Sequence, residues 1–145
     1  MKIIVQRVSQ AKVRVNDKVA GQIGKGMLIF IGVSKKDESK DADYLAQKVT
    51  RLRMFKDAEG KMNLSSLEVG AEILVVSQFT LYGDCRKGRR PSFDEAADLQ
   101  KGEKLYEYFV SQLRRQEIKV ETGQFQAMMD VELVNDGPVT FILES

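Results

Sequence analysis

Two stretches hold residue types from which chemistry could be built: "VVSQFTLYG" at residues 75–83 and "VNDGPVTF" at residues 134–141. In the first, Ser77, Gln78, Phe79 and Thr80 stand where an apolar run gives way to small and polar residues. At the end of a buried strand, backbone N–H and C=O groups lose their sheet partners and become available to a ligand. The plainer alternative is that Ser77 and Thr80 satisfy neighbouring backbone groups while Phe79 packs in the core. In the second stretch, Asn135-Asp136-Gly137 reads as a tight hairpin turn. Pro138 then removes a ladder donor at the start of the next strand, which calls for an edge or a special geometry. An X–Pro peptide prefers trans by only about 0.5–1 kcal/mol, so both isomers are open to Gly137-Pro138.

The chain has no histidine, which removes Ser-His-Asp and Cys-His nucleophiles and imidazole metal sites together. Its one cysteine, Cys85, cannot form an internal disulfide and has no histidine to activate it, so it reads as an ordinary thiol. No CxxC or ligand cluster suggests a metal, and no cofactor is expected. With 23 Lys+Arg against 21 Asp+Glu, the net charge of +2 does not by itself announce a nucleic-acid partner. The basic residues cluster in "CRKGRRPSF", as Arg86, Lys87, Arg89 and Arg90, with Lys35 and Lys36 a smaller pair. Such a run is ordinarily a solvated loop, and it is also what a phosphate backbone attracts.

The elements that must position these residues follow from hydrophobic pattern. At 145 residues and 43% hydrophobic, one compact domain is expected. The opening alternates and lacks the apolar run of a signal peptide or membrane span, so a soluble, cytoplasmic protein is expected. Strands are predicted at about 2–8, 11–15, 18–23 and 27–33, with Asn16-Asp17 as a tight turn. "GMLIFIGV" is a continuous apolar run, the mark of a strand buried on both faces, and "EILVVSQFTLYG" holds a second strongly apolar strand at about 72–79, ending as small and polar residues begin. A helix is predicted from about 39 to 50, with Ser39 as N-cap and Leu45, Val49 and Leu52 on one face. "DAEGKMN" reads as a turn. Ser92-Phe93-Asp94-Glu95 has capping-box spacing, predicting a helix from there to about 115 with Gly102 as an interruption. Its apolar face is Leu105, Tyr106, Phe109, Val110 and Leu113, read as core packing. Strands at about 118–121, 127–134 and 139–143 finish the chain. The predicted architecture is an α/β chain, a single compact domain over residues 1–145 of layered β/β/α sheets with two main helices.

At the two quoted stretches the sequence resembles the D-aminoacyl-tRNA deacylases of the D-tyrosyl-tRNA deacylase type. "SQFTL" at 77–81 and "NDGPVT" at 135–140 look like that family's two signature motifs. The likeness extends to "IVQRVSQAKV", "DAEGKMNLS", "RRPSF" and "TGQFQAMMDVELVNDGPVTF", and so spans essentially the whole chain. One departure is Gln126, where a smaller residue is expected. The resemblance implies hydrolysis of the ester joining a D-amino acid, or glycine mischarged on tRNA-Ala, to the terminal ribose of tRNA. It further implies a homodimer whose Gly-Pro peptide is cis and enters the other subunit's pocket. By it, Gly137 and Pro138 form a chiral gate, Ser77 to Thr80 the pocket floor, and Met129 a wall.

Catalysis without histidine is chemically reasonable for such an ester, which is already activated and carries a free hydroxyl on the same ribose. One hypothesis has that hydroxyl assist the attacking water while backbone N–H groups around Gln78 and Phe79 hold the oxyanion. Its rival makes Thr80 a nucleophile, although no general base is in view. Under the tRNA reading, Arg86, Lys87, Arg89 and Arg90 contact phosphates. Two other functions stay open: a non-catalytic nucleic-acid-binding dimer, and a general esterase acting through Thr80.

Overall fold

In the computed structural model, which describes residues 1–145, the first two predicted strands are one. β1 (Lys2–Val15) runs unbroken and pairs along one edge with β8 (Asp130–Glu144). Along its other edge it pairs with β3 (Gly26–Gly32) over residues 2–8 and with β2 (Lys18–Ile23) over residues 11–15. Asn16 and Asp17 both take positive φ, 49° and 62°, as a two-residue hairpin turn demands. β6 (Glu72–Ser77) adds parallel to β3, and β7 (Val120–Thr122) adds parallel to β6.

The sheet curls until β2 and β7 nearly touch. A Cβ on Gly21 would lie 2.5 Å from the Thr122 carbonyl oxygen, so only glycine fits there. Curling gives the sheet two apolar faces. Met27, Ile29, Ile31, Ile73 and Val75 meet the helices, while Leu28, Leu74 and Val76 join Val8, Val13 and Ile23 on the other side. That period-two division explains why β3 and β6 read as continuous apolar runs. Each such side chain contributes roughly 1.5–3 kcal/mol by leaving water.

The mixed α/β single domain is as expected, with a third, one-turn helix beside the two long ones. The two predicted layers of sheet are one sheet folded over. α1 (Ser39–Arg51) is capped by Glu38 rather than Ser39; the Glu38 N–H donates to Asp41 Oδ2 at 2.7 Å. A small hairpin, β4 (Phe55–Lys56) and β5 (Met62–Leu64), follows. Its turn is held by Asp57 Oδ1, which accepts the Glu59 and Lys61 N–H groups. α2 (Ser66–Val69) is a single turn capped by Ser65.

α3 (Leu99–Arg114) begins at an Asp98 cap, not at the Ser92 box. The reason is local. Ser92 and Asp84 exchange backbone hydrogen bonds of 3.0 and 2.7 Å, and the Ser92 hydroxyl turns to Asp94 Oδ2. With residues 92 and 84 bridged, the segment cannot wind. Gly102 does not interrupt the helix; its N–H donates to the Asp98 carbonyl at 2.8 Å. The predicted apolar face of Leu105, Tyr106, Phe109, Val110 and Leu113 is buried.

The expected hairpin at the C-terminal end is also corrected. Residues 130–144 form one strand, both halves of which pair with β1. Gln6 lies opposite Thr140 and Val8 opposite Asn135, so one residue of β1, Arg7, faces four of β8, residues 136–139, and three residues are in excess. Pro138 sits in that bulge, where no ladder donor is required. The Gly137-Pro138 peptide is cis, and both residues are exposed. No helix is long and apolar enough to cross a membrane.

Candidate active site

Where β6 ends, the chain turns at Gln78 into a 3-10 turn, Phe79–Tyr82. The Gln78 N–H is already engaged, donating to the Ile31 carbonyl at 2.8 Å, so it is not one of the free donors expected here. The first N–H groups of the turn, those of Phe79 and Thr80, have no partner within it. Leu81 and Gly83 close the turn onto the carbonyls of Gln78 and Thr80.

Beside this turn lies a cavity of about 530 Å³. Of the residues that the resemblance assigns to a site, Ser77, Gln78, Phe79 and Met129 line it; Thr80, Gly137, Pro138 and the 86–90 loop do not. Thr80 lies just outside, and its hydroxyl oxygen accepts a hydrogen bond from the Gln78 side-chain amide. No carboxylate, amine or imidazole is bonded to it.

The remaining walls include Tyr106 and Phe125, neither of which sequence reasoning placed here. Their rings pack with centroids 5.7 Å apart. The Tyr106 hydroxyl donates to the Val75 carbonyl at 3.1 Å, and burial pushes its phenol up to about 12. Tyr106 thus serves both core and cavity, which is why a helical apolar stripe concealed it. Phe125 belongs to no periodic element, and only its place in the "TGQFQAMMD" tract hinted at it. In that tract a Cβ on Gly123 would lie 2.6 Å from Met129 Sδ, so glycine there lets Met129 close the wall. Gln126 lines the cavity with φ of 62°, a left-handed backbone that glycine adopts more readily than glutamine. Phe79, 59% exposed, leans on Phe93 with centroids 5.0 Å apart and forms an apolar rim.

The basic loop follows the 3-10 turn directly. Arg86 grips Asp84 through two bonds, Nε to Oδ1 at 2.9 Å and Nη2 to Oδ2 at 2.7 Å. This holds the Asp84 carboxyl down at about 2. Lys87, Arg89 and Arg90 are exposed, and the ion pairs of the chain do not include them.

The bulge of β8 is pinned from below by a buried arginine. Arg7 is 1% exposed; its Nε stands 2.8 Å from Asp136 Oδ2, close but not aligned as a hydrogen bond, while Nη1 donates to the Met54 carbonyl. The Arg7 carbonyl accepts from Asn135 Nδ2 at 2.9 Å, and the same amide reaches the Val139 carbonyl at 3.2 Å. Gly137 and Pro138 therefore sit on a fixed base at the outer face of a strand.

An apolar cavity at a strand end, with the first turn of a 3-10 helix beside it, is the kind of place where a ligand can be held. A family profile described as D-Tyr-tRNA(Tyr) deacylase matches residues 4–144. The D-aminoacyl-tRNA deacylase of Thermotoga petrophila is 59% identical over 145 residues, covering all of this chain and 97% of that protein. That of Desulfatibacillum aliphaticivorans is 61% identical, covering all of this chain and 99% of that one. A solved structure described as c-Myc DNA unwinding element binding protein superimposes with a TM-score of 0.93 at 40% identity, over 100% of this chain and 99% of that one. The chain belongs to the D-Tyr-tRNA(Tyr) deacylase family.

Proposed function

We propose that the protein hydrolyses the ester between a D-amino acid, or glycine, and the terminal ribose of tRNA. It does so in the cytoplasm, as a homodimer in which Gly137 and Pro138 of one copy reach the pocket of the other. Family membership supports the reaction. The observation that carries the site is an apolar cavity beside a 3-10 turn whose first N–H groups, at Phe79 and Thr80, have no partner within the turn.

Water attacks the ester carbonyl carbon, assisted by the neighbouring ribose hydroxyl, and the carbonyl oxygen takes up negative charge. The N–H groups of Phe79 and Thr80 hold that oxygen; one such donor is worth roughly 2.7–4 kcal/mol. The ester C–O bond then breaks, the ribose oxygen takes a proton, and free amino acid and tRNA leave. Thr80 contributes its backbone rather than its hydroxyl, since nothing bonded to that hydroxyl can remove its proton.

An enzyme that accepts many side chains of one handedness recognises none of them and forbids the direction in which the other enantiomer's Cβ points. Main-chain carbonyls of Gly137 and Pro138 serve this purpose, because proline limits the backbone and glycine permits close approach. Their exposure on a braced bulge, outside their own chain's cavity, supports delivery to a second copy. Glycine has no Cβ and passes. Ser77 and Met129 shape the pocket, and Lys87, Arg89 and Arg90, with Arg86 partly engaged by Asp84, attract tRNA phosphates.

A second reading, a nucleic-acid-binding module without catalysis, draws on the description of the structural relative at 40% identity. Release of tyrosine from D-tyrosyl-tRNA separates the two: the hydrolase frees it, the binder leaves the ester intact. Sedimentation of the same protein at micromolar concentration is expected to give twice the chain mass, and a monomer would contradict delivery in trans.

A further inference from the structure

At the end of α1 opposite the cavity lies a second hollow, of about 340 Å³, lined by Tyr44, Gln47, Lys48, Arg51, Leu52 and Arg53. Three cations line it and no carboxylate does. Lys48 and Arg51 belong to none of the chain's ion pairs, and Arg53 only brushes Asn63 Oδ1 at 3.4 Å. Glu68 feels the charge of Arg53, but its carboxylate is held by the Ser65 N–H and hydroxyl, at 2.7 and 2.6 Å. Tyr44 stands 51% exposed on the same surface. Cations in the last turn of a helix complement its dipole, which accounts for Lys48 and Arg51. It does not account for Arg53, which lies beyond the helix, nor for a concave surface with an exposed aromatic ring and no acid.

We propose that this hollow docks the phosphate backbone of the double-stranded stem of the RNA substrate, at a place separate from the ester pocket. The inference rests on the tRNA reading above and adds a second contact to it. α1 starts beside the cavity: Asp37 is bonded to Ser34, and the Ala97 N–H donates to the Val33 carbonyl, both Ala97 and Val33 lining that cavity. Thirteen residues of α-helix carry the chain about 20 Å from there. A 3′-terminal nucleotide bound in the cavity cannot reach so far, whereas the duplex behind it presents phosphates over that span. Double-stranded RNA is gripped mainly through its shape and backbone, and phosphate contacts release counterions, so their number is readable from salt dependence.

The test compares wild type with K48Q/R51Q/R53Q, and with Arg51→Gln alone, on three probes: uncharged tRNA for binding, and D-tyrosyl-tRNA and D-tyrosyl-adenosine for hydrolysis. We expect the triple variant to bind uncharged tRNA at least about tenfold more weakly at low salt, with the slope of log affinity against log salt flattened by about three. Arg51→Gln falls between, and hydrolysis of D-tyrosyl-adenosine stays within about twofold of wild type, since that substrate has no stem. Unchanged tRNA affinity and slope overturn the proposal. A loss on the adenosine ester as large as on tRNA also overturns it, because the damage is then to the fold. Failure of the deacylase reading looks different: wild type releases no tyrosine from either ester while tRNA binding still depends on the three cations.

Discussion

Arg7 and Asp136 meet 2.8 Å apart, a buried guanidinium against a carboxylate that stands on the bulge of β8. Arg7 is on the inward face of β1, in step with Ile3 and Val5, where an apolar side chain is expected. Its carbonyl holds Asn135 as well, so the residues on either side of the bulge's entry are tied to one position. Asp136→Asn keeps the shape and removes the charge, leaving Arg7 buried with the Met54 carbonyl as its remaining partner. Breaking a fully buried pair costs about 3–5 kcal/mol. The Asp136 side chain is 42% exposed, so water screens part of that, and roughly 1–3 kcal/mol is expected. Urea unfolding of the two proteins measures it, and equal midpoints would mean that the pair does not anchor the bulge.

Gly21→Ala tests the curl of the sheet. The new Cβ would meet a backbone oxygen of β7 at 2.5 Å, an atom that cannot swing aside. Thermal unfolding is expected to show a loss of about 1–3 kcal/mol, the usual range for overpacking. A variant as stable as wild type would mean that close contact between β2 and β7 does not hold the curl.

Thr80→Ala separates the two chemistries of the site. If backbone N–H groups hold the oxyanion and the hydroxyl only receives the Gln78 amide, hydrolysis of D-tyrosyl-tRNA persists within about an order of magnitude, far from the loss that removing a nucleophile brings. A covalent acyl adduct on Thr80, seen by mass spectrometry after quenching, contradicts this and restores the nucleophile.

The Asp84 pair gives a pH signature. Hydrogen bonding from Arg86 lowers the Asp84 carboxyl from its usual 3.8 to about 2 in the folded chain. A depressed folded pKa stabilises the fold above the unfolded value, and that contribution disappears as pH falls through the folded one. The carboxyl carbon resonance of Asp84 is therefore expected to stay in its ionised position at pH 3 and to titrate only near 2; Arg86→Gln brings it back toward 3.8. Titration near 3.8 in the unaltered protein would show the pair open in solution.

Much of the fold is legible in the sequence wherever one signal acts alone. The runs 26–32 and 72–77 are buried on both faces because the sheet has core on both sides, and Asn16-Asp17 makes the turn its backbone preferences demand. Signals fail where two compete. Ser92 has the spacing of a cap, but its backbone is bridged to Asp84 and no helix starts there. Asn135-Asp136-Gly137 has the composition of a hairpin turn, but both flanks pair with the same strand and the turn becomes a bulge. At the site, Ser77 to Phe79 are readable as a strand end, and Met129 through family likeness. Tyr106 is hidden inside a stripe that packs the core, and nothing local in the sequence ties Arg7 to residue 136 across more than a hundred positions.

The central claim is that handedness is decided by main chain and not by side-chain recognition. Rates of tyrosine release from D-tyrosyl-tRNA and L-tyrosyl-tRNA, with glycine release from glycyl-tRNA alongside, test it most directly. The account predicts that the D-tyrosyl and glycyl esters are both cleaved while the L-tyrosyl ester survives. Comparable cleavage of the L ester, or refusal of glycine, would contradict it.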